Sequence, residues 1–172
     1  AGSLPIDIDA WGSHARAMAP DPIPFDRDRL IAMTGLDYLR AMLAGDIAPP
    51  PIWALMGLRL AGVEPGEVTI HAAPRPEHGN VTGTIHGGWY GTLLDAAMGC
   101  AVMTTVPAGA THATLEYKVN VTRVVRPGLQ VEAVGRVQHG GRRTGVAMGE
   151  VRGLADGKLY ATGSTTCIVL EG

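Results

Sequence analysis

The sequence predicts an α+β fold in which one buried helix covers a face of an antiparallel sheet. Three observations predict it. Residues 86–106 (HGGWYGTLLDAAMGCAVMTTV) contain a helix-length segment that is apolar nearly all round. Residues 111–170 alternate with period two between tight-turn signals, as strands do. Two shorter strand patterns, and two helical ones before them, precede the apolar helix.

Residues 1–25 hold Pro5, Pro20, Pro22 and Pro24 among small residues, which predicts an extended lead-in. Residues 26–34 and 35–45 carry helical spacing. Leu36, Leu39, Met42 and Leu43 recur on one face, and Gly45 provides a stop. Pro49-Pro50-Pro51 cannot continue a helix, and a short helical turn follows at 52–56. Strands at 58–63 and 67–73 flank Glu64-Pro65-Gly66, while 74–85 has turn chemistry without a period. In 114–122, Leu115, Tyr117, Val119 and Val121 face one way. Pro127-Gly128, Gly140-Gly141 and Asp156-Gly157 then turn the chain into strands at 129–137, 143–152 and 158–170. These four strands read as a meander.

Composition narrows the function. The chain has 172 residues, 46% apolar and 17% charged, which suits a packed core and excludes disorder. Net charge is −2, with only Lys118 and Lys158 as lysines and no basic block, so no nucleic-acid partner is expected. No 18-residue apolar run and no signal-peptide pattern occur, so neither a membrane partner nor export is expected. Cys100 and Cys167 show neither disulfide density nor zinc spacing, which favours a cytoplasmic location. His71, His78, His112 and His139 are scattered among turns and strands, and no histidine pair has metal-ligand spacing. No metal or other cofactor is expected. Ser13 and Ser164 lack a nucleophile-elbow context. With 24 glycines against one Phe, four Tyr and three Trp, the core must close by bringing backbones together.

Asp95 is the single charge of the apolar helix, and an acid there needs a partner. Gly88, Gly91, Asp95 and Gly99 share one helix face, which describes a narrow channel with an acid at its wall. The same glycines could serve only a close approach, and the acid only a backbone contact at a subunit interface. His86-Gly87-Gly88 opens the helix with unpaired N–H groups and no side chain to obstruct them, an oxyanion site in waiting. Taken alone, His86 reads as a helix-start histidine.

Asn80-x-x-Gly83-x-x-His86-Gly87-Gly88-x-x-x-x-Leu93-x-Asp95-x-Ala97-x-Gly99 closely resembles the signature of hotdog-fold acyl-CoA thioesterases of the phenylacetate-pathway, PaaI-like type. Thr114–Val121 with Arg126-Pro127-Gly128, Gly141-Arg142-Arg143-Thr144, and the Gly157 turn into a Thr-rich last strand resemble it too. So does the leading GLDYLRAMLAGDIAPPPIWALMG. The resemblance runs from about residue 35 to the end. It implies a hotdog fold, an antiparallel sheet wrapped around one central helix, over residues 51–172. Residues 1–50 would then be an N-terminal extension with a helical arm. It implies a homodimer as the active unit, paired into a homotetramer, hydrolysing an acyl-CoA to acid and CoA.

The resemblance also assigns roles. Asp95 is the catalytic carboxylate, as general base or nucleophile, and the Gly87 N–H polarises the thioester carbonyl. Asn80 helps hold that carbonyl or the water, His86 lies near the thiolate leaving group, and the Thr114 hydroxyl places the water. Asn80, His86 and Gly87 come from one subunit, Asp95 and Thr114 from its neighbour. Apart from the resemblance, Gly88 is expected at the substrate because, like Gly87, it lets a substrate oxygen approach the helix N–H groups. Arg142 and Arg143 are either a solvated hairpin tip or contacts for the CoA phosphates. Val81 stands where Pro is frequent. Trp89 and Tyr90 are bulkier than the residues often found there, so an altered acyl pocket is expected. Two other readings remain: a hotdog acyl-CoA hydratase, which needs an Asp/His pair, and a non-catalytic acyl-CoA-binding sensor.

Overall fold

The computed structural model describes residues 27–171. The lead-in expected over 1–25 lies outside them. Three short helices come first: α1 (Arg27–Ala32), α2 (Gly35–Ala44) and α3 (Pro51–Met56). Strands β1 (Leu58–Glu64) and β2 (Glu67–Ala72) follow, then a 3₁₀ turn at Pro76–His78 and the long helix α4 (Gly87–Met103). Strands β3 (Ala110–Val121), β4 (Val131–Gly140), β5 (Thr144–Gly153) and β6 (Leu159–Glu171) complete the chain.

The strands form one antiparallel sheet in the order β1-β2-β4-β5-β6-β3. The sheet wraps α4, whose Leu93, Leu94, Ala97, Met98, Ala101 and Val102 are fully buried. This is the hotdog architecture. One detail differs from the expected meander. β3 pairs with β6, not β4, so the segment holding Pro127-Gly128 is a crossover rather than a hairpin turn. Tyr90 pins that crossover, its hydroxyl accepting from the Val125 N–H at 2.7 Å. Placing β3 at the far edge leaves its apolar stripe uncovered: Leu115, Tyr117 and Val121 are exposed.

Short-range chemistry explains the ends of the elements. Thr34 caps α2 by accepting from the Asp37 N–H at 3.1 Å, and Gly45 ends it at φ 91°. Pro51 opens α3, where its missing N–H costs nothing. The expected close backbone approach occurs at Gly135 on β4, where a Cβ would run into the backbone of Ala97. Helix and sheet touch there through main chain alone.

The segment from α1 to α3, residues 27–56, forms an arm fastened at both ends of α4. At the C-terminal end, the Gly35 N–H donates to the Val106 carbonyl at 3.0 Å, and Gly35 lies on the Met103 backbone. At the N-terminal end, the Trp89 indole donates to the Met56 carbonyl at 2.9 Å. Arg75 donates to the Leu55 carbonyl at 2.7 Å, and the His78 ring lies 2.8 Å from the same oxygen. Trp89 and Tyr90 are therefore buried anchors. Neither lines the cleft described below.

Candidate active site

Where α4 is not covered by the sheet, a cleft of about 820 Å³ opens. One wall is the stretch of α4 from Asp95 to Met103, another is β3 at His112 and Thr114, and the third is the arm. The spacing of Asp95 and Gly99 by one helical turn puts both on the open face. Thr114 projects from β3 and donates to Asp95 Oδ1 at 2.9 Å. That bond orients the carboxylate and leaves Oδ2 for a ligand.

Glycine at 99 creates the room. A Cβ there would sit 3.8 Å from His112 Nε2 and 3.9 Å from Thr114 Oγ1. A carboxylate, a hydroxyl and an imidazole thus border one small space on the cleft wall. Burial pushes the His112 ring below the ordinary histidine value, against a hydrogen bond to the Gly99 backbone and the charge of Asp95. The ring is neutral at pH 7. Cys100, one residue on, is pushed up to about 12 by burial first and by the Asp95 charge second. Its thiol stays protonated and is no nucleophile.

The expected residues divide into two groups. Asp95 and Thr114 meet in the cleft. Asn80, His86, Gly87 and Gly88 lie at the other end of the helix and do not line it. Eight residues of helix put Gly87 about 12 Å from Asp95 along the axis. His86 is the N-cap of α4, its Nδ1 accepting from the Gly88 N–H at 2.9 Å. The Gly88 donor is therefore used, whereas the Gly87 N–H has no acceptor among the described residues, and space around Gly87 is open. Asn80 is the hub of the preceding loop. Its Oδ1 accepts from the Thr82 N–H, the Thr82 hydroxyl and the Thr84 N–H, and its Nδ2 donates to Thr84 Oγ1 at 2.9 Å. One amide hydrogen is left over.

Arg142 and Arg143 are exposed on the β4–β5 hairpin, outside the cleft. The Arg143 carbonyl accepts from the Val169 N–H, and Val169 pairs with His112. Arg143 thus lies two strand spacings, about 10 Å, from His112 at the same end of the sheet. Sequence reasoning did not place His112 or Cys100 at the site. The available signal for His112 was its place two residues before Thr114, which puts both on one strand face.

The fold and this cleft define a hotdog protein with an acidic site beside its central helix. A family model, the thioesterase superfamily, matches residues 82–159. A conserved protein of Pseudomonas aeruginosa superposes with a TM-score of 0.66 at 33% identity, over 71% of this chain and 95% of its own. A Thermus thermophilus protein gives 0.63 at 30% identity, over 70% of this chain and 97% of its own. The phenylacetic acid degradation protein PaaI of the same organism, solved as a point mutant, gives 0.63 at 29% identity, over 69% and 98%. No curated protein matches the chain in sequence. The chain belongs to the thioesterase superfamily, and it is similar to the PaaI type within it.

Proposed function

We propose that this protein hydrolyses an acyl-CoA thioester to a carboxylic acid and free CoA. The observation that carries the reading is the Asp95 carboxylate, oriented by Thr114 at 2.9 Å on the wall of an open cleft. Water is a poor nucleophile, and a fixed carboxylate can take its proton as the oxygen attacks the thioester carbon. The carbonyl oxygen then gains negative charge, and a preorganised N–H stabilises it. The Gly87 N–H has the needed freedom, but lies about 12 Å away on the same rigid helix. The donor therefore comes from a second copy of the chain, with His86 beside the departing thiolate and the remaining Asn80 amide hydrogen towards the carbonyl or water. Collapse of the tetrahedral intermediate breaks the C–S bond, and the thiolate leaves as CoA. Direct attack by Asp95 is the other form of the same hydrolysis.

The exposed stripe and free edge of β3 support the homodimer, since an unpaired edge strand is a template for another chain. Pairing of dimers into a homotetramer is part of the same proposal. Arg142 and Arg143 sit at the Thr114 end of the sheet, where guanidinium groups suit the CoA phosphates. The chemistry requires no metal or redox cofactor. Two free thiols fit a reducing cytoplasm.

Thiol release from an acyl-CoA panel, by native protein and by Asp95→Asn, tests this reading. A fall of at least about a hundredfold in the variant is expected for a lost base. Equal activity in the two would overturn the assignment of Asp95. A second reading gains from one observation: His112 shares the cleft with Asp95, and hydration of an enoyl-CoA uses such a pair. Loss of enoyl absorbance without thiol release would identify it.

A further inference from the structure

The cleft at Asp95 is larger and more apolar than water activation requires. In the single chain its volume, about 820 Å³ before a second copy reaches Asp95, is in the upper part of the range, about 300–1,000 Å³, of pockets that bury whole small molecules. The side chains buried in its lining, Leu39, Ile47 and Trp53, are apolar and all come from the arm. The charged residues of the lining other than Asp95, Arg29 and Asp46, are exposed at the rim. The polar groups Asp95, Thr114 and His112 gather on the opposite wall. An apolar wall facing a polar reaction wall fits a molecule with a reactive head and an apolar body.

We propose that the arm of the chain carrying Asp95, through α2, the Pro49–Pro51 run and Trp53, forms the acyl compartment and selects extended apolar acyl groups. This rests on the thioesterase reading. The arm is held in place from two sides. Gly35 fixes one end of it to the end of α4, and the Trp89 and Arg75 bonds fix the other. A roof fastened at both ends gives a preformed compartment, so little ordering cost is left for binding.

The experiment has an activity arm and a binding arm. Thiol release is measured for acetyl-, octanoyl- and dodecanoyl-CoA. Each methylene entering the compartment should raise kcat/KM roughly three- to fourfold until it is full. Ala48 is exposed and lines the cleft, so Ala48→Trp fills it without disturbing the core. The dodecanoyl-to-acetyl ratio of kcat/KM should fall at least about tenfold, the equivalent of two lost methylene sites. Met42→Ala enlarges the same space and should move the ratio the other way, which keeps the test decisive if the tryptophan variant misfolds. For binding, decanoic acid is titrated against the native protein while tryptophan emission is followed. A saturable change that disappears in Trp53→Phe is expected. No emission change, together with a ratio unmoved by either cleft variant, would overturn the proposal while leaving thiol release intact. Binding seen through Trp53 with no thiol release from any acyl-CoA would uphold the compartment and sink the thioesterase reading.

Discussion

Gly87 offers an unusually clean separation of one hydrogen-bond donor from the fold around it. It is the first residue of α4, its surroundings are open, and His86 before it already has φ −62° and ψ 140°. Proline is favoured at that position and requires an extended residue before it. Gly87→Pro should therefore leave the melting temperature nearly unchanged while removing the proposed oxyanion donor. A loss of about a hundredfold or more in kcat is expected, the size of one lost donor, read by thiol release beside a thermal melt. His112 gives a pH signature. Its folded value is below 6.5, so the unfolded chain binds the proton first as pH falls. Its stabilising contribution is complete above about pH 6.5 and is lost as acid carries the ring through its folded value. His112→Gln should flatten the fall in melting temperature between pH 7 and 5 relative to the native chain. Asp95 was legible in the sequence because it is the one charge on an apolar helix. His112 was less so: its spacing from Thr114 puts both on one strand face, but its importance comes from β3 crossing the open face of α4 at Gly99, which is a tertiary fact.

Among the elements, the helices and hairpins were readable because their signals are local. Gly45 and Gly66 adopt positive φ where the sequence placed a helix stop and a turn. The position of β3 was not readable. A turn signal at Pro127-Gly128 looks the same whether the next strand pairs beside β3 or crosses the helix to β2. Only the pairing of β4 with β2 distinguishes them. The arm was legible as helices, but its fastening was not, because that depends on contacts such as Gly35 on Met103. That contact leaves no room for a methyl group. Gly35→Ala should destabilise the protein by about 1–3 kcal/mol, as overpacking does. Limited proteolysis should show cleavage in the arm before cleavage in the sheet. Equal protection of the arm in the variant would mean that the Trp89 and Arg75 bonds hold it alone.

For the whole molecule, the separation of Gly87 from Asp95 makes a single chain an incomplete enzyme under the proposed mechanism. Asp95→Asn and Gly87→Pro chains, each inactive, should recover about a quarter of native activity when refolded together. Half of the dimers are then mixed, and one of two sites in each is intact. No recovery would place both groups in one subunit's chemistry or none. The spacing also fixes a point of symmetry. If residue 87 of one helix lies beside residue 95 of an antiparallel copy, the twofold axis passes halfway between them, at residue 91. That residue is Gly91, whose missing Cβ leaves 3.1 Å to the Tyr117 hydroxyl. A side chain added at 91 would push Tyr117 outward on the uncovered stripe of β3, so under the proposed twofold arrangement one substitution would act on both halves of the dimer alike.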